Sequence, residues 1–490
     1  MIIVSITGPD MRRALRQVAG SAPFAGALEF RLDMIADADI RRLLASTSLP
    51  TVVTCRPVWE GGGYRGSEAQ RAVILSQAAA AGATYLDLEL NASPLARAAM
   101  LAAAGRSRVI ASLHILTPGS FDVRRMYSRL RATGAGILKF AFTAEDAYEA
   151  RKAFDFLALA GQDRQRAIAV AMGEAGEMTR VLYKKFGGWA TYAAAESGSE
   201  AAPGQISGSC LKHVYRADRL TKGTRVYGVV GNPVRQSKGV FIHNELFHRA
   251  GKNAVYCRFP VRDLGAFMDR VAPNLSGFSV TIPHKQPVVR YLDAVDRHAG
   301  AIGAVNTVIR RGSRLTGSNT DASGAIDAIE KVMRVGKKRV LVLGAGGAAR
   351  AIVFALKERG ARVLVANRTA EKGAALAKEL DISHIPMEDI GSTPIDILVN
   401  ATSVGMFPEA DATPVPRAAL RGKLVFDAVY NPPMTRLLTE AREMGCAIVQ
   451  RTEMYLHQAA LQSEMFAGKR PPPGVMRKIL DHHLAHPSRT

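Results

Sequence analysis

Six charged side chains interrupt otherwise apolar, strand-like runs in the first half of this 490-residue chain: Glu29, Arg31, Arg56, Glu89, His114 and Lys139. Charged residues are rarely buried without a purpose, and each of these falls near the carboxyl end of its run. Any single one is explained by a paired core charge or a strand end reaching solvent. Their convergence on one end of the same set of strands marks a catalytic face instead. The other half carries a different chemistry. Val340–Leu343 runs into Gly344-Ala345-Gly346-Gly347-Ala348-Ala349, which opens an apolar helix through Leu356. This is GxGxxA between strand and helix: Gly344 permits the tight turn, Gly346 admits a pyrophosphate, and Ala349 lets helix and strand pack closely. The free N–H groups of the helix N-terminus then face the phosphates. The next run, Arg362–Ala366, ends in Asn367-Arg368-Thr369. A reader of NAD carries an acidic residue here. This chain offers Arg368, whose guanidinium suits a 2′-phosphate, the plainer reading being an exposed turn arginine. The expected cofactor is NADP(H).

These groups need elements to hold them. Eight runs read as strands: Ile2–Thr7, Ala27–Asp33, Thr51–Arg56, Tyr85–Leu90, Arg108–His114, Gly136–Phe142, Ala167–Met172 and Trp189–Ala193. Most are apolar almost throughout, as strands covered on both faces of a parallel sheet must be. Between them lie Ala/Arg/Leu-rich stretches such as Glu68–Ala81 and Ala144–Ala160, long enough for crossover helices. Eight β/α repeats in about 220 residues fit a (β/α)8 TIM barrel, with a doubly wound open sheet as the alternative on periodicity alone. A boundary is expected at about residues 212–224 and a second near Val332–Lys338.

Composition excludes several classes. The apolar residues AVILMFWYC make up 48% and DEKR 22%, a globular balance rather than a disordered one. No uninterrupted apolar run reaches the ~18 residues a membrane span needs, and Ile2–Ile6 is too short for a signal-peptide core. Cys55, Cys210, Cys257 and Cys446 form no CxxC and read as reduced thiols. A soluble, cytoplasmic, multidomain protein is expected. The net charge of +22 favours anionic small molecules over nucleic acid, because the basic residues are scattered and no nucleic-acid motif accompanies them. Their longest tight cluster is Lys337-Lys338-Arg339.

The motifs resemble two enzyme families joined in one chain. The second half resembles shikimate dehydrogenase in Tyr227-Gly228-Val229-Val230-Gly231-Asn232-Pro233, Ser279-Val280-Thr281-Ile282-Pro283-His284-Lys285, Ala304-Val305-Asn306-Thr307 and Asn319-Thr320-Asp321-Ala322-Ser323-Gly324. Asn400-Ala401-Thr402-Ser403-Val404-Gly405-Met406 and Asp427-Ala428-Val429-Tyr430-Asn431-Pro432 extend the likeness. The first half resembles type I 3-dehydroquinate dehydratase in Glu29-Phe30-Arg31-Leu32-Asp33, Asp87-Leu88-Glu89, the His114 and Lys139 strands, Met172-Gly173-Glu174 with Arg180, and Ala202-Pro203-Gly204-Gln205. The resemblance implies a dehydratase barrel over 1–220, a shikimate-binding α/β lobe over 225–332 completed by 450–485, and a Rossmann NADP lobe over 333–449.

For the barrel, the resemblance implies that Lys139 forms a Schiff base with the ketone of 3-dehydroquinate. An amine attacks only when neutral, and burial destabilises its charged form. His114 is then the proton-transfer residue and Glu89 orients it. Arg180 binds the carboxylate, while Ser5, Glu29, Arg31, Arg56 and Gln205 line the substrate pocket. No metal is implied. For the second half, the resemblance implies NADPH-dependent reduction of 3-dehydroshikimate to shikimate, with Lys285 and Asp321 as the catalytic pair. Ser237, Gly239, Thr281, Asn306, Tyr430 and Gln458 fall in the substrate pocket. Gly344, Ala345, Gly346, Gly347, Ala348, Asn367, Arg368, Thr369, Thr402, Val429 and Arg451 fall in the cofactor site. The implied partners are the two substrates, 3-dehydroquinate and 3-dehydroshikimate, with neither nucleic acid nor membrane.

Three positions depart from the families' patterns. Ala201 stands where a serine precedes the pocket glutamine, which points to a weaker barrel. Gly239 stands in place of a second carboxylate-binding serine, as in related enzymes that prefer quinate. Arg451 replaces a glycine at the nicotinamide end. A reductase half that prefers quinate, or a weakly active barrel, is the alternative.

Overall fold

The structure, a computed structural model, describes residues 1–104, 108–420, 423–429 and 432–485. The chain divides into two compact units, Met1–Leu275 with the segment from Ile479, and Ser276–Lys478.

The first unit opens with β1 (Ile2–Ile6), β2 (Ala27–Arg31), β3 (Thr51–Thr54), β4 (Tyr85–Glu89), β5 (Arg108–Ile115), β6 (Ile137–Thr143), β7 (Arg166–Met172) and β8 (Thr191–Ala194). All eight expected runs form strands, with ends displaced by one or two residues. Their order in the sheet is β7-β6-β5-β4-β3-β2-β1-β8, with parallel neighbours throughout. At the seam between β7 and β8, Trp189 N–H donates to Ala167 O at 2.8 Å. This sequential, near-closed order is a (β/α)8 barrel; a doubly wound sheet reverses its order at a switch point.

The connecting helices are α1 (Met11–Ser21), α2 (Ile40–Ala45), α3 (Glu68–Ala80), α4 (Pro94–Ala103), α5 (Val123–Arg131), α6 (Ala147–Ala150), α7 (Lys152–Gln162) and α8 (Glu177–Val181). The helix expected over Ala144–Ala160 is thus two, divided at Arg151. Its start is set by Asp146, which caps α6 by accepting from Tyr148 N–H, with Glu149 completing a capping box. Val53, Leu86 and Leu88 pack outward against Leu75 and Ala78 of α3 and Met100 of α4. Ile3, Ala27, Val52, Tyr85, Ile110, Ile137 and Ile168 fill the interior. Two buried faces explain why these strands are apolar at nearly every position. The unit continues with β9 (Arg225–Gly231), α9 (Gly239–Arg249), β10 (Ala254–Pro260) and α10 (Leu264–Arg270), and β9 pairs parallel with β10.

The second unit contains β11 (Gly277–Val280), β12 (Ala294–Val295), α11 (Arg297–Ile302), β13 (Thr307–Arg311), β14 (Arg314–Ser318) and α12 (Asp321–Glu330). β13 pairs antiparallel with both β11 and β14. There follow β15 (Arg339–Leu343), α13 (Gly347–Glu358), β16 (Arg362–Ala366), α14 (Ala370–Leu380), β17 (Ser383–His384), β18 (Ile397–Asn400), β19 (Leu424–Asp427), α15 (Arg436–Glu443), β20 (Ala447–Gln450), α16 (Arg451–Ala467) and α17 (Pro473–Ala485), whose last residues belong to the first unit. The parallel order β17-β16-β15-β18-β19-β20 is that of a Rossmann sheet, with its switch point beside β15. Val340 and Val342 face Ile352 and Leu356 of α13 and Ile326 of α12, while Leu341 and Leu343 face Leu437 and Leu438 of α15. No helix among the described residues is long and apolar enough to cross a membrane.

Candidate functional site

Strand alternation builds the first site. Two residues beyond the apolar interior layer, the same inner faces present Ser5, Glu29, Thr54, Asp87, Ser112 and Lys139. Two further on stand Arg31, Arg56, Glu89 and His114. The barrel is therefore apolar at one end and ionic at the carboxyl end of its strands.

Lys139 is buried, and its Nζ donates to Asp87 Oδ2 at 2.8 Å. Glu29 Oε1 lies 3.7 Å from the ammonium, and the Tyr192 ring centre lies 4.1 Å from it. Glu29 is fixed from two neighbouring strands, accepting from Ser5 Oγ at 2.7 Å and Thr54 Oγ1 at 2.9 Å. Arg56 donates to Asp87 Oδ2 (3.0 Å), Glu89 Oε1 (3.1 Å) and Ser112 Oγ (3.0 Å). Burial favours a neutral Asp87, but Arg56 and then Lys139 outweigh it and hold that carboxyl far below its usual range.

The orienting contact expected from Glu89 is absent, and this corrects the sequence reading. Glu89 is taken up by Arg56 and by Arg71 of α3, which donates to its Oε2. His114 Nδ1 instead meets Glu60 Oε2 at 2.7 Å, with Arg56 Nη1 at 3.2 Å from the same nitrogen. Burial, then Arg56 and Lys139, keep the imidazole well below its ordinary pKa, so it is neutral. Burial pushes the Glu60 carboxyl up to about 8, against Arg56 and with help from Glu89 and Asp87. Glu60 and Asp87 are thus members of the site that the strand pattern did not single out. Glu60 lies outside every strand, in a short turn four residues after Arg56.

The remaining pocket candidates are placed as follows. Arg31 pairs with Asp33 through two bonds of 2.9 and 2.7 Å. Arg180 is buried, and among the described residues its hydrogen-bond partners are the carbonyls of Ala171 (2.6 Å), Gly176 (3.3 Å) and Pro203 (3.4 Å). Burial lowers its pKa to about 10, a cation in want of an anion. Gln205 Oε1 accepts from Ala201 N–H at 2.7 Å, so Ala201 stays tethered without a hydroxyl. Gly204 lets this loop touch the end of β7: its φ is +73°, and a Cβ there would lie 2.0 Å from Gly173 O. Farther along this unit, Ser237 Oγ accepts from Gly239 N–H at 3.3 Å. A Cβ on Gly239 would lie 3.2 Å from the Tyr256 ring, so a larger residue here needs that ring to give by a few tenths of an ångström.

In the second unit, Lys285 Nζ meets Asp321 Oδ2 at 2.5 Å. Asp321 opens α12, where the helix dipole favours a carboxylate. Its backbone N–H donates to Asn319 Oδ1 at 3.0 Å, and Asn319 Nδ2 donates to Ala304 O at 2.8 Å. Val305 N–H donates to Lys285 O at 2.7 Å. Asn306 Oδ1 accepts from Thr320 N–H at 2.9 Å and its Nδ2 donates to Thr320 Oγ1 at 3.0 Å. These bonds draw Lys285, Asn306 and Asp321 together from three segments. Thr281 is half-buried, its carbonyl accepting from His284 N–H at 2.9 Å. Gly324 admits α16 closely, since a Cβ there would lie 2.8 Å from Met454 O. On that helix Gln458 carries a buried Oε1 with no partner among the described residues.

The glycine loop adjoins this pair: a Cβ on Gly347 would lie 3.6 Å from the Lys285 Cβ. Gly344 has φ +112°, which other residues rarely adopt, and nothing lies within 4 Å of a Cβ on Gly346, an open cradle before the N-terminus of α13 that Ala345 and Ala348 flank. Asn367 Nδ2 donates to Thr369 O at 2.8 Å. Between them Arg368 is exposed and pairs with no described residue. Asn400 Oδ1 accepts from Thr402 Oγ1 (2.7 Å), Asn400 Nδ2 donates to Asp427 Oδ1 (3.0 Å), and the latter accepts from Val429 N–H (2.9 Å). The loops after β18 and β19 are thereby fixed beside the cradle. Arg451 opens α16, with its side chain outside the described residues, and Tyr430 lies outside them altogether.

Comparison with known proteins finds relatives of both halves of the chain. Residues 2–222 match the family model of type I 3-dehydroquinase. Residues 229–308 match the shikimate dehydrogenase substrate binding domain, and 327–415 the shikimate/quinate 5-dehydrogenase model. A bifunctional 3-dehydroquinate dehydratase/shikimate dehydrogenase of Arabidopsis thaliana, described as chloroplastic, is 38% identical over 487 residues, covering 94% of this chain and 80% of its own. A shikimate dehydrogenase (NADP(+)) of Shouchella clausii is 40% identical over 53% of this chain and 99% of its own. A crystal structure of shikimate dehydrogenase in complex with NADP+ superposes with a TM-score of 0.51 and 36% identity, covering 54% of this chain and 97% of that one.

Proposed function

The chain belongs to the bifunctional 3-dehydroquinate dehydratase/shikimate dehydrogenases, and from that premise we propose how its residues share the two reactions. It is a lyase and an NADP-dependent oxidoreductase of the shikimate pathway, converting 3-dehydroquinate to 3-dehydroshikimate and then to shikimate. The relative matched over both halves and the one matched over the second half are both named for shikimate, which favours it over quinate. We assign the dehydratase to 1–220, the shikimate-binding lobe to 225–332 with 450–485, and the NADP lobe to 333–449.

In the barrel, Lys139 is the nucleophile. Its amine adds to the substrate ketone and loses water, forming an iminium that acidifies the neighbouring C–H. His114 takes that proton at Nε2 when Glu60 is ionised, Nδ1–H then donating to the carboxylate. The same imidazolium returns a proton to the departing hydroxide. Arg180 receives the substrate carboxylate, the anion its buried guanidinium lacks, and Gln205, Arg56 and Glu29 border the ring. The observation that carries this reading is Lys139, buried and held 2.8 Å from Asp87 at the strand end where His114 and Glu60 stand 2.7 Å apart.

In the reductase, NADPH when bound supplies the hydride. The open Gly346 cradle and Arg368, which has no partner among the described residues, suit its pyrophosphate and 2′-phosphate. Lys285 and Asp321 supply the proton that turns the reduced ketone into an alcohol, the lysine ammonium also offsetting the growing oxyanion charge. Ser237, Thr281, Asn306, Tyr430 and Gln458 bind the carboxylate and ring hydroxyls. The expected partners are these small molecules, in a reducing compartment, the cytoplasm, that suits four cysteines without disulfides.

The deciding experiment supplies the purified chain with NADPH and either 3-dehydroquinate or 3-dehydroshikimate. Oxidation of NADPH is expected from both. Oxidation from 3-dehydroshikimate alone would deny the barrel its chemistry.

A further inference from the structure

The reductase's Ser237 is held in place by an ion pair whose acid belongs to the dehydratase barrel. β10 carries Arg258, whose side chain is only 11% exposed. Its Nη1 donates to both oxygens of Glu177 at 3.2 and 3.1 Å and lies 3.3 Å from Tyr215 Oη. Its Nη2 donates to Ser237 O at 3.1 Å. Tyr215 Oη donates to Glu177 Oε1, and the Phe241 ring centre lies 5.6 Å from the guanidinium carbon. Glu177 opens α8, the short helix that also carries Arg180. Beyond β10, Asp146 of the loop after β6 accepts from Arg262 N–H at 2.6 Å and Asp263 N–H at 3.1 Å. Two barrel acids thus grip β10 and the turn that follows it.

A buried ion pair gains little net stability, since desolvation cancels most of the attraction, but its geometry is exacting. A guanidinium is a rigid fork, so fixing one arm on Glu177 fixes where the other arm holds the Ser237 carbonyl. Ser237 Oγ already accepts from Gly239 N–H, which leaves its proton for an acceptor outside the turn.

We propose that Glu177 is a positioning residue for the reductase, acting through Arg258 to hold the Ser237 turn in register for the substrate carboxylate. The barrel is then a structural part of the enzyme that consumes its product. This rests on the reading of Ser237 as a carboxylate contact, so the test separates the two. Steady-state constants for both activities are measured on the full chain carrying Arg258→Met, Ser237→Ala, and both. Arg258→Met is expected to raise KM for 3-dehydroshikimate about tenfold, with kcat, KM for NADPH and the dehydratase constants within about twofold. In the double variant KM is expected to match Ser237→Ala alone, because a residue acting through Ser237 has nothing left to position. An unchanged KM in Arg258→Met, or effects that multiply in the double variant, overturns the proposal. An unchanged KM in Ser237→Ala overturns the reading of Ser237 itself, and the proposal with it. Should Arg258→Met fail to fold, Glu177→Gln, which keeps the shape but removes the charge and one of the two acceptor oxygens, is judged by the same KM-against-kcat split.

Discussion

Glu60 Oε2 stands 2.7 Å from His114 Nδ1, across 54 residues of chain. The contact sets the tautomer of the barrel's base. With Glu60 ionised, Nδ1 keeps the proton and Nε2 is free to accept one; with Glu60 protonated, its O–H donates to Nδ1 and Nε2 holds the proton. Burial lifts the Glu60 pKa to about 8, so the productive form gains population as pH rises through that value. Dehydratase kcat/KM is therefore expected to fall as pH is lowered through this region, while the reductase on the same chain keeps its own profile. Glu60→Gln is expected to lose this limb and roughly 10²-fold in dehydratase kcat. A pH-rate series on both activities checks it, and an unaltered acid limb in Glu60→Gln would remove Glu60 from the role.

Lys139 and Asp87 form a buried ion pair at the carboxyl end of the barrel strands. Lys139→Ala is expected to abolish borohydride trapping of substrate and all dehydratase turnover, with reductase rates kept within about twofold. Asp87→Asn is a different experiment, because it leaves Lys139 and Arg56 buried without their shared anion. A loss of about 3–5 kcal/mol is expected for breaking such a site, read as an earlier urea midpoint for the loss of dehydratase activity. Trapping that survives in Lys139→Ala would move the Schiff base to another amine.

The barrel was legible because both faces of its strands are covered, which makes each an apolar run that stands out against the helices between. Position near the carboxyl end of each run also placed Glu29, Lys139, Arg56 and His114 at one end, and in the structure side chains two residues apart share the inner face. Parity could not say how deep each residue reaches. Asp87 and Glu89 lie on the same inner face of β4, yet Asp87 meets Lys139 while Glu89 is held by Arg56 and Arg71. Glu60 was hidden for another reason: it sits in a turn with no periodicity, and only the closed barrel brings that turn to His114. Likewise Arg258 reads in sequence as one more charge in a basic chain, and its buried partners come from segments 81 and 43 residues away.

Lys285 and Asp321 lie at 2.5 Å beside the glycine loop. Removing the proton donor without altering the fold is expected to lower reductase kcat roughly 10²–10⁴-fold in Lys285→Met. Asp321→Asn is expected to act in the same direction more mildly, since the lysine charge remains. In both, KM for NADPH and the dehydratase rate are expected to stay unchanged. Assaying shikimate formation from 3-dehydroshikimate checks this, and a rise in KM for 3-dehydroshikimate with kcat unchanged would make the pair a binding element instead.

Arg368 follows the second Rossmann strand, exposed and with no partner among the described residues. Asn367 closes the turn on Thr369 O at 2.8 Å, so the backbone on either side is fixed while the guanidinium stays available. A 2′-phosphate would give it a bidentate, charge-assisted partner, worth about 1.5–3 kcal/mol. A 2′-hydroxyl offers no such anion, and an arginine cannot accept its hydrogen bond. Arg368→Ala is accordingly expected to raise KM for NADPH roughly tenfold to a hundredfold, leave KM for NADH little changed, and leave kcat at saturating cofactor near its original value. The salt dependence of KM for NADPH should weaken in the same variant, because a surface ion pair is screened and its loss removes the term that salt acts on. Equal losses with NADPH and NADH would show that Arg368 supports the loop rather than reading the phosphate.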